Sequence, residues 1–182
     1  MATHDSSALL LVRSTATIGL GLATGLMASY PIVAWPTMYT AESLDIKDRL
    51  NLFWYFYEQG ASTMKLLLPV SAALLGYASY ASRAAADYMP ATFVARNRKA
   101  LLAAAAVLTI SNIPWTIFAI MPLNLRLKKL KDSKLTGAGT TDNASDAEID
   151  TMIRSKWAAL HGGRILMTAT AFLISVAELG SA

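Results

Sequence analysis

Long apolar runs alternate with short charged stretches along the chain. Residues 14–35 are 22 consecutive uncharged positions, residues 66–82 are 17 and residues 100–125 are 26. Residues 157–177 carry only His161 and Arg164 as ionisable groups. A helix rises about 1.5 Å per residue and the hydrocarbon of a bilayer is about 30 Å thick, so about 20 apolar residues make one crossing. The pattern therefore predicts four spanning helices, at about 14–35, 50–82, 100–125 and 157–177. The first runs into Tyr30-Pro31-Ile32-Val33-Ala34-Trp35-Pro36 and reads as a retained span, since the apolar part of a cleaved signal is shorter and ends in small residues. Gly21 and Gly25 within it form a small-xxx-small pair, which lets a neighbouring helix approach.

The second span, 33 residues from Leu50 to Ser82, exceeds one crossing, so it must tilt, project or break near Gly60 or Pro69. In the third, Pro114 lacks a backbone donor and crowds the preceding turn, which predicts a kink around Ile110. Residues 42–49 read as a polar loop. Residues 126–156 read as a hydrophilic loop, mobile in its Gly/Thr/Ser/Asp-rich middle at 136–150. The expected fold class is all-α: an integral membrane four-helix bundle, built as a single membrane domain.

Composition agrees. Of 182 residues 54% are hydrophobic and 15% charged, against about 25% charged in an ordinary soluble domain. The absence of cysteine excludes disulfides, thiolate metal sites, iron–sulfur clusters and a cysteine nucleophile. His4 and His161 are the two histidines, too few for a multi-histidine centre within one chain. The net charge of +4 gathers partly in Arg126-Leu127-Lys128-Lys129-Leu130-Lys131, directly after a span, where anionic lipid rather than nucleic acid is the expected partner. No phosphate-binding loop, dinucleotide fingerprint or haem-attachment motif occurs, so no flavin or haem is indicated.

Ionisable groups inside a membrane are costly and by default mark function. Glu58 and Lys65 lie two helical turns apart and share a face with Trp54. Trp157, His161 and Arg164 share another, and Asn112 stands beside Trp115. These stripes are expected to turn inward around a polar pocket, because lipid cannot satisfy them. Local readings compete: Glu58 solvated among aromatics or paired with Lys65 or Arg164, Lys65 snorkelling, Asn112 satisfying carbonyls freed by Pro114. A metal held by His161 and Glu58 stays open, although it needs a third ligand.

Asn112-Ile113-Pro114-Trp115-Thr116, followed by Trp157-x-x-x-His161-x-x-Arg164, resembles the fungal anthrone oxygenase family. Phe53-Trp54-Tyr55-Phe56-Tyr57-Glu58 at the head of the second span and the four-span layout are similar to it too. The resemblance implies an oxygenase of aromatic polyketide biosynthesis in an intracellular membrane such as the endoplasmic reticulum. It implies conversion of an anthrone to an anthraquinone with molecular oxygen as co-substrate. On that footing His161 is the expected base, since an imidazole ordinarily titrates near neutrality. Arg164 and Asn112 are the expected oxyanion stabilisers, with Glu58 orienting His161. Trp54, Tyr57, Trp115 and Trp157, with Lys65, are the expected substrate contacts. Two other classes remain open: a non-catalytic scaffold that recruits pathway enzymes through 126–156, and a small transporter using Glu58, Lys65 and Arg164, which at four spans would need to form a homo-oligomer.

Overall fold

A computed structural model describes residues 7–41, 43–82, 92–136 and 144–181. These are helical nearly throughout, and the fold is all-α with four stretches long and apolar enough to cross a membrane: Ser7–Thr40, Ile46–Ala81, Arg98–Thr136 and Asp146–Leu179. The first comprises α1 (Ser7–Ser29), a π-helical turn (Tyr30–Ala34) and α2 (Trp35–Thr40). The second is the single helix α3 (Ile46–Ala81). A short α4 (Phe93–Arg96) precedes α5 (Arg98–Trp115), a second π turn (Thr116–Ile120) and α6 (Met121–Thr136). The last stretch is α7 (Asp146–Thr151), a third π turn (Met152–Trp157) and α8 (Ala158–Leu179).

Several expectations change here. The polar stretch 42–49 is helical from Ile46, where Asp45 Oδ1 accepts the Asp48 N–H at 2.9 Å. Neither Gly60 nor Pro69 breaks α3, which runs unbroken for 36 residues. The irregularity attributed to Pro114 falls after it, at the Thr116–Ile120 π turn, and Ile110 lies within α5. The stretch 126–156, expected to be a loop, is helical over 126–136 and 146–156, while 137–143 lie outside the described residues. Helix forms there despite the polar composition, because one stripe of α6 is buried. Asn124, Leu127 and Leu130 bury one stripe of α6 between solvated lysines. Ser145 caps α7 by accepting the Glu148 N–H, and the Arg126–Glu148 and Lys134–Asp146 pairs tie α6 to α7.

The chain divides into two compact units: residues 1–25, 64–112 and 166–182 in the first, 26–63 and 113–165 in the second. The first packs small residues closely. A Cβ on Gly19 would lie 2.5 Å from Ser71 Oγ, and one on Gly21 would lie 3.0 Å from Phe172. Its apolar core is Leu9, Ala16, Leu20, Leu75, Ala78, Leu102, Ala105 and Ala171. Arg13, Glu178 and Arg98 join three of its helices: Arg13 Nε donates to Glu178 Oε2 and Arg98 Nε lies by Oε1, each at 2.8 Å. Both Arg13 and Glu178 are fully buried. The second unit has a larger-residue core, in which Tyr30, Phe53, Ile120, Met152, Ile153 and Trp157 are buried together.

Candidate functional site

In the second unit the aromatic residues converge on Trp157. Its indole meets Phe53 edge-on at 5.1 Å, Trp35 at 5.9 Å and Tyr30 at 5.2 Å. The His161 ring stacks on it at 4.5 Å with 16° between planes, as their i, i+4 spacing on one face allows. Trp157 Nε1 donates to Asn124 Oδ1 at 2.9 Å, fixing both side chains.

His161 is 5% exposed, and its Nε2 lies 3.0 Å from the Met27 carbonyl oxygen. A carbonyl only accepts, so Nε2 carries the hydrogen and the neutral ring's lone pair resides on Nδ1. Nδ1 is buried with no hydrogen-bond partner. The same holds for Asn124 Nδ2 and Trp35 Nε1. Two donors and one acceptor, all unsatisfied and all on side chains touching Trp157, form a polar set inside an aromatic core. Buried polar atoms of this kind call for a bound partner, a water or a ligand. Arg164, 9% exposed, lies within electrostatic reach of both His161 and Tyr57.

The remaining sequence candidates fall elsewhere. Glu58 is exposed and accepts the Trp54 indole N–H at 2.7 Å. It pairs with neither His161 nor Arg164, so the expected orienting carboxylate and the His161–Glu58 metal pair are not assembled. The backbone carbonyl of Met27 orients His161 instead. Lys65 is exposed, since the inward stripe of α3 runs through Leu50, Phe53, Met64, Leu68 and Leu75. Asn112 is buried in the first unit with its Nδ2 on the Leu108 and Thr109 carbonyls of its own helix, at 3.2 and 3.3 Å. Those are not the Ile110 carbonyl that Pro114 frees. Its Oδ1 accepts from Thr168 at 3.5 Å.

Trp54 stacks near Tyr57 at 5.1 Å, beneath the ammonium groups of Lys128 and Lys131. Trp115 donates to the Leu160 carbonyl at 3.0 Å and lies against Gly163, locking two helices as well as presenting a ring. Asn124 and Trp35 were missed. The rule that singled out Asn112, a carboxamide within an apolar run, applies equally to Asn124. Among the described residues no three His, Asp or Glu side chains gather as metal ligands.

The model of the anthrone oxygenase family matches residues 53–174, which is 122 of 182 residues. The chain belongs to the anthrone oxygenase family. No curated protein and no solved structure matches it. The matched segment contains Phe53, Asn124, Trp157, His161 and Arg164, so the aromatic core with its polar set lies mostly within the part that defines an anthrone oxygenase.

Proposed function

We propose that this anthrone oxygenase family member converts an anthrone and O2 to an anthraquinone and water, as a step of aromatic polyketide biosynthesis. The observation that carries the reading is the buried lone pair on Nδ1 of His161, which has no hydrogen-bond partner and is held by the Nε2–H bond to Met27 inside an aromatic core. The ring ketone of an anthrone acidifies its methylene, so a positioned imidazole suffices to remove a proton. His161 Nδ1 takes it. The anthrolate passes one electron to O2, the radical pair recombines at the methylene carbon, and the peroxide takes the proton back from His161. Nδ1 then removes the remaining hydrogen of that carbon, the O–O bond breaks, and the departing hydroxide takes that proton as water. The carbon becomes the second quinone carbonyl.

Arg164 supports the anionic ring oxygen. The carboxamide role expected of Asn112 passes to Asn124, whose Nδ2 is available where that of Asn112 is engaged. Donors fixed before the reaction stabilise developing charge without reorganising. Trp157 backs the imidazole and orients Asn124. Simultaneous measurement of oxygen uptake and quinone formation by the purified protein in lipid tests this. One O2 consumed per quinone is the expected result, and no uptake above the spontaneous rate rules the reaction out.

A further inference from the structure

A cavity of about 550 Å³ opens on the flank of the second unit, between the first helical stretch and α3. That lies within the range of about 300–1,000 Å³ usual for small-molecule sites. One wall is Phe56, Gln59, Gly60 and Thr63, at i, i+3, i+4 and i+7 of α3 and therefore on one face. The opposite wall includes Tyr30 and Ala34, the two ends of the first π turn. A π turn adds a residue to one turn of helix and displaces the backbone, as often happens at functional sites. Gly60 faces open space, with nothing within 4 Å of where its Cβ would stand.

No residue lining the cavity is charged. The lining hydroxyls of Ser29 and Thr63 donate to backbone carbonyls of their own helices, and that of Tyr30 donates to the Phe53 carbonyl at 3.2 Å. The Gln59 carboxamide makes no hydrogen bond among the described residues. The site therefore combines apolar walls, one ring edge and one free amide. A single ring separates it from the proposed catalytic core: Tyr30, which lines the cavity, also meets His161 at 5.6 Å and Trp157 at 5.2 Å.

We propose that this cavity receives a neutral polycyclic aromatic substrate laterally from the lipid, with Gly60 providing the space and Gln59 recognising a ring oxygen. The proposal rests on the reaction given above for the identity of its ligand. Charge-free walls suit a molecule already dissolved in hydrocarbon, and a single carboxamide suits a ring ketone or phenol.

The test uses the full chain in lipid nanodiscs, with anthraquinone as the probe and tryptophan quenching as the binding readout. Gly60→Phe should weaken binding at least about tenfold by filling the cavity, whereas Leu66→Phe, on an exposed position of the same helix, should leave it unchanged. Gln59→Leu should weaken anthraquinone binding about 3–10-fold, the worth of one hydrogen bond, and leave anthracene binding unchanged. Should Gly60→Phe fold poorly by circular dichroism, Gly60→Leu carries the same expectation with a smaller factor. Wild-type protein that does not bind anthraquinone, or binding indifferent to the Gly60 and Gln59 changes, overturns the proposal. Gly60-dependent binding without oxygen uptake on an anthrone keeps the cavity and overturns the reaction. Oxygen uptake with a KM indifferent to Gly60→Phe does the reverse.

Discussion

The two units share the same four helical stretches and use them differently. In the first, the described segments are regular α-helix, the core is half alanine, and buried charge is matched: two guanidiniums close on the Glu178 carboxylate. In the second, every one of the described π turns occurs, the core is aromatic, and buried polar atoms on His161, Asn124 and Trp35 lack partners. Satisfied ion clusters and close small-residue contacts hold helices rigidly. Unsatisfied buried polar atoms are unfavourable for an unliganded fold, and natural proteins tolerate them where a ligand completes the set. On the proposed reaction, the first unit is framework and the second carries the chemistry.

The sharpest way to break that contrast is at His161. His161→Ala should lower turnover per folded molecule about 10²–10⁴-fold, the usual worth of a positioned base, beyond the stability lost by emptying a buried, hydrogen-bonded position. Near-normal turnover would make His161 one more core residue. In the first unit the effect should have the opposite character. Glu178→Gln leaves the buried Arg13 guanidinium and the part-buried Arg98 without their carboxylate and should cost about 3–5 kcal/mol of stability, read by thermal unfolding in lipid, with turnover per folded molecule retained. A loss of turnover at full stability would move chemistry into the framework.

A smaller effect separates holding from reacting within the second unit. Trp157→Phe keeps a ring against His161 but strands Asn124 Oδ1, for about 1–3 kcal/mol of stability. It should also lower kcat more than it raises KM, because Asn124 is then free to rotate; stability lost with kcat intact would confine Trp157 to packing. Gly163→Ala places a Cβ 3.1 Å from the Trp115 ring, a contact the indole can relieve by a small shift, so about 1 kcal/mol is expected in the same melt. A much larger loss would show Trp115 to be immovable. The smallest effect belongs to Glu58→Gln. With an exposed carboxylate bonded only to Trp54, activity should change less than about twofold across the pH range, within what an exposed charge contributes. A large loss there would return Glu58 to the site.

The reading of α3 shows why part of the site was illegible. Glu58 and Lys65 do share a face, as their spacing required, but the face is the outer one. In a soluble helix the apolar stripe identifies the inside. Around a membrane helix lipid is as apolar as the core, so hydropathy does not separate them, and the rule that polar groups turn inward decided wrongly for Glu58 and Lys65, although both stand well inside α3. His161 and Arg164 followed the same rule and are buried. Residue type helped in one respect: Trp157 and His161, four apart, stack as the spacing allowed. The partner of His161 was beyond reach, because it is a backbone carbonyl and every residue has one.

By itself the sequence determined that the chain is helical, that four stretches are long and apolar enough to cross a membrane, and that its motifs are those of an anthrone oxygenase. Run length and residue identity encode all three locally. Only the tertiary structure decided which polar side chains face one another. Each π turn advances the helix face by about 100° relative to a regular count, so the phase of residues beyond Tyr30–Ala34, Thr116–Ile120 and Met152–Trp157 cannot be carried across from the preceding turns. A π turn separates Asn112 from Asn124, whereas Glu58 lies on the regular α3 and faces outward while the Met27 carbonyl meets His161: contact is set by helix phase and neighbours and not by residue type.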